Sequence, residues 1–351
     1  MRNLFHPNNN GEFFSPLPTL FVVPSGIGCA VGGFAGDAIP VARLLGSASG
    51  FLITHPNVLN GASLFWDDPR IQYVEGSGID RFATGEIGLR PVRKRKVGLL
   101  LDAKIESDLL QRHLEVANAC RASLGLDIGP VVITEKPLEV KIRNSSRGSS
   151  WGELQCPDVL LNAADRLKDA GVSAVAVVTR LPDNENSQLV DNYRRGNGVD
   201  SVAGAEAVIS HLLVRHLGMP CAHAPALQPL PIDFALDPRA AGEELGHTFL
   251  TCVLVGLSRA PDMIDIKKEC IGNSFSPSDF LSIHDLGAVV APNGALGGEA
   301  VLACLEKGVP LILVKNPGVL NVDDKALGIT NSIESKSKFN FFHANNYVEA
   351  A

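Results

Sequence analysis

The chain has 351 residues, 45% of them apolar and 20% charged, an ordinary globular composition. At that length a single hydrophobic core usually stops growing, so two lobes or one large domain are expected. Acids outnumber bases 38 to 31 for a net charge of -7. That excludes a general nucleic-acid-binding role, because such proteins meet phosphate with a positive field.

Residues 1–18 (MRNLFHPNNNGEFFSPLP) read as a flexible N-terminal segment, with neither the apolar stretch of a secretory signal nor the composition of a transit peptide. TLFVVP (19–24) predicts a buried strand by its length and β-branched content, and the Gly-rich loop SGIGCAVGGFAG follows it. Asp37 then caps a short helix to about Leu45, with Pro40 tolerated in its first turn. FLIT (51–54) and IQYVE (71–75) predict strands that end in the polar loops HPNVLNGAS and GSGIDRFATGEIG. The basic run Arg90–Lys96 reads as a solvated entrance to the strand KVGLLLD (96–102). Ser107–Leu124 predicts an amphipathic helix closed by Gly125.

From residue 130 the rhythm repeats. PVVITE and LEVKI are strand-like, and the loop SSRGSSWGE leads to a helix that Asp158 opens and Gly171 stops. SAVAVVT (173–179) lacks alternation and so predicts a strand buried on both faces. A polar loop containing YRRGNGVD leads to a helix from Val202 to Leu217 and a short strand, MPCAHA (219–224). Asp237 at N-cap and Pro238 at N1 predict the longest helix, reaching about Ser258. The last unit is the strand LGAVVAP (286–292), the loop NGALGG, a helix to Lys307 and the strand PLILV (310–314). The end, NNYVEAA, stops in mid-helix by pattern and without a cap, as a truncated chain would.

Strands alternating with helices predict an α/β fold of mainly parallel sheets with helices on both faces, built from Rossmann-like βα units. Lobes over 19–125 and 126–320 are expected, followed by a tail at 321–351, with a single domain over 19–320 as the alternative. Seven cysteines with no CxxC, several inside apolar runs such as TCVLVGL, point to a reducing compartment and to thiols used as small hydrophobes. No run approaches the roughly 18 apolar residues of a membrane span, so a soluble protein is expected.

In parallel α/β sheets ligands sit outside the carboxyl ends of strands, where helix N-termini offer unpaired amides to negative charge. Four loops fit. The first holds Ser25, Gly26, Gly28, Gly32 and Gly33, but its spacing is neither the dinucleotide fingerprint nor a P-loop. The second holds Arg147 and Ser149, a guanidinium and hydroxyls suited to phosphate or carboxylate. The third holds Arg194 and Gly198 ahead of a helix, and the fourth runs Asn293, Gly294, Gly297, Gly298, Glu299. Asn60, Gly61, Gly78, Asp80 and Arg81 stand in comparable loops and join the binding candidates. His55, His223 and Glu75 close short apolar runs and are the acid/base candidates. Glu243 and His247 are four apart on the expected long helix, as a proton relay or part of a metal site with His55 or His223 would be. H-E-x-x-H and G-x-S-x-G are both absent, so neither a zinc protease site nor a hydrolase elbow is expected, and no cofactor or metal is indicated.

Together VPSGIGCAVGGFAGDAIPVARLL, HPNVLNGASLFW, YVEGSGIDRF, GNGVDSVAGAEAVISHL, PCAHAPAL and EELGHTFLTCVLVGLSRAP resemble an uncharacterised domain family of cyanobacteria and plant chloroplasts. The resemblance spans about Leu20 to Val314 and implies a plastid-stroma protein. Plant members of that family are in turn likened to lipid-A-disaccharide synthase. Gly294-Ala295, Glu299 and Gly308-Val309-Pro310 are similar to the C-terminal pattern of two-lobed glycosyltransferases, with Glu299 about a helical turn farther from Gly308 than in that pattern. The expectation is an enzyme binding a phosphorylated or carboxylated small metabolite, in a chain compatible with a homo-oligomer. A glycosyltransferase-like user of a nucleotide sugar and a non-catalytic ligand-binding or assembly protein are the alternatives.

Overall fold

The computed structural model describes residues 15–61, 68–144, 150–183, 187–246, 248–271, 280–318, 320–329 and 340–351. Its larger sheet has six parallel strands: β1 (Thr19–Phe21), β2 (Leu52–Thr54), β3 (Ile71–Tyr73), β12 (Ala288–Asn293), β13 (Leu311–Lys315) and β14 (Phe341–Ala344). The order across it is β14-β13-β12-β1-β2-β3. Taken alone, these strands run third-second-first-fourth-fifth-sixth, the doubly wound order whose topological switch point lies between β1 and β12. The second sheet is parallel β10-β9-β5-β6, from β5 (Lys96–Leu101), β6 (Asp127–Ile133), β9 (Ala174–Arg180) and β10 (Cys221–Ala226). Every residue of β9 and β10 is buried, as their unbroken apolar runs demand. Two antiparallel pairs flank the sheets, β4 (Ile87–Arg90) with β11 (Asp262–Asp265) and β7 (Val140–Asn144) with β8 (Ser150–Leu154).

The α/β class with parallel sheets is therefore as the sequence implies. The first sheet takes strands from both ends of the chain, and the second is an insertion between β3 and β12. Residues 341–344 are an integral edge strand, and α12 (Tyr347–Ala350) follows it. Periodicity announces a buried strand and says nothing about its partner, so the pairing of β1 with β12 could not be read locally.

Several helices depart from expectation for local reasons. The segment after β3 is helix α3 (Gly76–Thr84), opened by the Glu75 side chain on the Ser77 N–H and closed by Gly85 at φ 82°. Gly76 hides that helix from propensity; a Cβ there would lie 2.8 Å from His211 Nε2, so the imidazole that pairs with Glu75 would have to move. The expected helix from Asp237 to Ser258 is two, α8 (Pro238–Glu244) and α9 (Leu250–Leu257). Gly246 interrupts the run, and Thr248 Oγ1 accepts the Leu250 N–H to start afresh. Helix α9 is almost wholly buried because it lies between the sheets: Leu250, Val253, Leu254 and Leu257 share one core with Phe21 and Tyr73 of the first sheet and Leu99, Ala176 and Ala222 of the second.

The basic entrance to β5 is also not solvated throughout. Arg95 is 5% exposed, and its guanidinium donates to the Ala260 and Ser173 carbonyls and to Asp262 Oδ1. It thereby joins the end of α9 and strand β11 to the second sheet. Arg95→Met keeps the apolar stem and strands these acceptors. It should cost about 3 kcal/mol, read as a lower urea midpoint at unchanged slope; a loss within ~0.5 kcal/mol would show that Arg95 carries little of the fold.

Candidate functional site

The Gly-rich loop leaves β1 at the switch point, and its conformation depends on glycine where φ is positive, at Gly26, Gly28, Gly32 and Gly36. Side chains from several elements pin it. His55, at the end of β2, accepts the Val23 N–H on Nε2 at 3.0 Å. Asn316, just beyond β13, accepts the Val31 N–H at 2.9 Å and donates to its carbonyl at 2.8 Å. Two of the protein's own carboxylates take further amides: Asp37 accepts from Gly32, and Glu243 of α8 accepts from Ala35. The N–H groups of Gly26 and Gly28 form no hydrogen bond with a described residue, and Ser25 beside them is exposed.

Connections of the second sheet close over this loop. Tyr193, from α6 (Ser187–Arg194), stacks on Phe34 at 4.3 Å between centroids, and its hydroxyl donates to the Glu243 carboxylate at 2.9 Å. Arg239 lies 4.5 Å from the Phe34 centroid. A Cβ on Gly28 would meet the Gly198 carbonyl at 2.7 Å, so the 25–36 and 194–200 loops are in contact. Helix α7 (Ala203–Leu217) starts there. Asp200 accepts the Val202 N–H at 2.9 Å, and Glu206 occupies the first turn. Behind them His223 of β10 is hydrogen-bonded through Nε2 to Thr179 Oγ1 at 2.6 Å. Its Nδ1 is buried, lies 3.3 Å from Glu206 Oε1 and makes no hydrogen bond.

The seam is electrostatically costly. Burial, then the charge of Glu206, pushes the Asp200 carboxyl up to about 7. Burial, then Asp200, raises Glu243 well above the carboxylate range, and burial lifts Asp37 to about 6. Asp200 therefore titrates near neutral pH, as acid/base groups do. Asp200, Glu206 and Tyr193 were not singled out from sequence. Asp200 stands in YRRGNGVD, where the arginines drew attention, and only the pairing of β9 with β10 brings Thr179 and His223 together.

The remaining candidates lie elsewhere. Burial lowers His55 to about 4, so it is a neutral acceptor inside the fold. Glu75 caps α3 and pairs with His211 of α7 at 2.9 Å. Asp80 accepts the Ala300 N–H at 3.1 Å and so caps α11 (Glu299–Glu306), whose N-terminus looked bare in sequence. Glu299 is exposed beside it. Arg81 pairs with Glu86 at 3.2 Å, and Gly78 packs on Val74 and Met263. Asn60 accepts from the Tyr73 hydroxyl, and the Gly61 carbonyl accepts from the Cys252 thiol. Arg194 is buried and committed to Glu244 and the Pro231 carbonyl. Gly33 lies against the Cys29 carbonyl, where a Cβ would sit 2.2 Å away. Asn293 contacts Asp324, Gly294 (φ 120°) and Gly297 back onto the 320–322 segment, and Gly298 faces open space. Arg147, Ser149 and His247 lie outside the described residues.

The strain on Asp200 has a thermodynamic signature. Its folded pKa stands above the unfolded value, so the native state binds the extra proton and stability falls as pH rises from about 4 through 7. Asp200→Asn removes that loss. It should raise Tm by roughly 2 °C or more at pH 8 and leave it nearly unchanged at pH 4, by calorimetry. An equal shift at both pH values would mean that Asp200 is not strained.

A family model described as a protein of unknown function (DUF3326) matches residues 18–351. An uncharacterised lipoprotein of Synechococcus sp. is 51% identical over 314 residues, covering 89% of this chain and 86% of that protein. No solved structure matches. No helix among the described residues is long and apolar enough to cross a membrane. By the extent of both matches, the chain belongs to the DUF3326 family.

Proposed function

We propose that the protein is an enzyme that transfers protons on a small phosphorylated or carboxylated metabolite bound where the Gly-rich loop meets the N-terminus of α7. The observation that carries this reading is the Glu206–His223–Thr179 row. A buried imidazole held at one nitrogen, with its other nitrogen 3.3 Å from a carboxylate that is 28% exposed, links solvent to the seam. Asp200, poised at about 7, supplies a second group that can give or take a proton near neutral pH. Carboxyl groups pushed to different pKa values divide acid and base roles.

The anion of the metabolite is assigned to the amides of Gly26 and Gly28 and the hydroxyl of Ser25, which no described residue occupies. The amides nearer Phe34 are taken by Asp37 and Glu243, so the substrate's negative end belongs at the start of the loop. His55 and Glu75 become positioning groups in this reading, because each is consumed by a backbone amide. The same reading puts the protein in a reducing compartment, the plastid stroma, supported by buried thiols such as Cys29, pushed up to about 11 by burial.

The test begins with a thermal-shift screen of sugar phosphates, carboxylic acids and sugar nucleotides, since a native-state ligand raises apparent stability. Turnover of each hit is then followed by NMR in deuterated water. Wild type should exchange or transform a proton of the bound metabolite. His223→Asn and Glu206→Gln should lower kcat about 10²–10⁴-fold with the ligand's Kd changed less than threefold. A ligand held at the seam without any turnover by wild type would establish a binding protein instead.

A further inference from the structure

A second cleft of about 290 Å³ opens at the carboxyl ends of β12, β13 and β14, lined by Asn293, Leu313, Lys315, His343, Ala344 and Asn345. The sheet register brings these groups together: Asn293 stands beside Lys315, and Val314 beside Ala344. Leu313 and Ala344 supply apolar lining, and the four remaining side chains are polar. Its volume is near the lower end of small-molecule sites, and the ends of parallel strands are where such sites form.

The donors and acceptors here are unequal. Asp324 is occupied: His343 Nε2 lies 3.4 Å from Oδ2, and Asn293 Nδ2 donates to Oδ1 at 3.4 Å. Glu349 accepts from the Asn345 N–H at 2.7 Å and from its side-chain amide at 2.9 Å. The Lys315 ammonium forms no ion pair or hydrogen bond with any described residue. An ammonium without a partner among the described residues, beside carboxylates already engaged by other donors and at the mouth of a cleft with an apolar lining, suits a ligand with a short carbon body and one anionic end.

We propose that this cleft is a binding site for a small phosphate- or carboxylate-bearing molecule, its anion on Lys315 and its body against Leu313 and Ala344. It is separate from the Gly-loop seam. Asn316 stands between them, with its carboxamide spent on both backbone groups of Val31 and on the Tyr347 hydroxyl. The proposal therefore does not depend on the enzymatic reading.

Isothermal titration of the full chain with glycerol 3-phosphate, inorganic phosphate and glutarate distinguishes the sources of the anion. Saturable binding of at least one probe is expected, weakened about tenfold or more by Lys315→Ala and largely restored by Lys315→Arg. Phosphate probes binding while glutarate does not would assign a phosphoryl ligand, and the reverse a carboxylate. His343 ring signals should shift in the NMR spectrum of wild type during the titration. Asp200→Asn, at the other site, should bind the same probe as wild type does. No saturable binding by wild type, or equal affinity in Lys315→Ala, would overturn the proposal. Loss in Asp200→Asn with retention in Lys315→Ala would move the ligand to the seam.

Discussion

Carboxylates seated on backbone amides organise the carboxyl edges of both sheets. Glu243 takes the Ala35 N–H, Asp37 that of Gly32, Glu75 that of Ser77, and Asp80 that of Ala300. Loops and helix N-termini at strand ends present partial positive charge, and here the chain supplies much of the matching negative charge itself. The Glu243 contact has the longest reach. It joins a helix that follows β10 to a loop that follows β1, and so fixes one sheet's edge against the other's. The stack of Tyr193 on Phe34 and the Gly28–Gly198 approach build on that anchorage.

What the sequence made legible follows from which signals are local. Buried strands such as β9 announce themselves by composition, and helix α7 emerged within a residue of its expected start because its apolar stripe and Gly218 stop are both local. The Gly-containing loop at 25–36 follows β1 and that at 293–298 follows β12. Their occupants were not legible. Asp37 is only five residues from Gly32, but Glu243 is 208 residues from Ala35, and no periodicity encodes that distance. Arg194 illustrates the converse. Two arginines in a Gly-containing loop resemble an anion clamp, yet one of them is buried against Glu244 and the Pro231 carbonyl. Sequence specifies that a guanidinium is present; the fold decides whether it is spent.

The carboxyl cluster at the seam has an energetic meaning beyond its chemistry. Glu206 raises the proton affinity of Asp200, and Asp200 and Glu206 raise that of Glu243, in a partly dehydrated place where packed apolar residues would be more stable. Strain of that kind persists when the surroundings over-determine it, and here the surroundings do: the Val202 N–H holds Asp200, while Tyr193 and Ala35 hold Glu243. Thr179 fixes one nitrogen of His223 and leaves the other turned toward Glu206. A rigid, half-hydrated set of proton-bearing groups is what acid/base work requires of a scaffold.

The two sheets each have a switch point, and comparing them supports the first as the proposed place of chemistry. In the second sheet the strands run second-first-third-fourth, with the switch point between β5 and β9. Asp102 fills that position. It accepts the N–H groups of Lys104, Leu138 and Arg180 and is fully buried, while the Arg180 guanidinium is clamped between Glu106 and Asp183. Charge is matched there and amides are consumed, so that edge is finished as structure. At the first sheet's switch point the account does not close. The Gly26 and Gly28 amides have no partner among the described residues, and neither does His223 Nδ1; the acids nearby repel one another, and Glu206 meets solvent. Groups left unsatisfied by the fold, beside a sister site that shows how completely the same architecture can satisfy them, are the ones a substrate can complete.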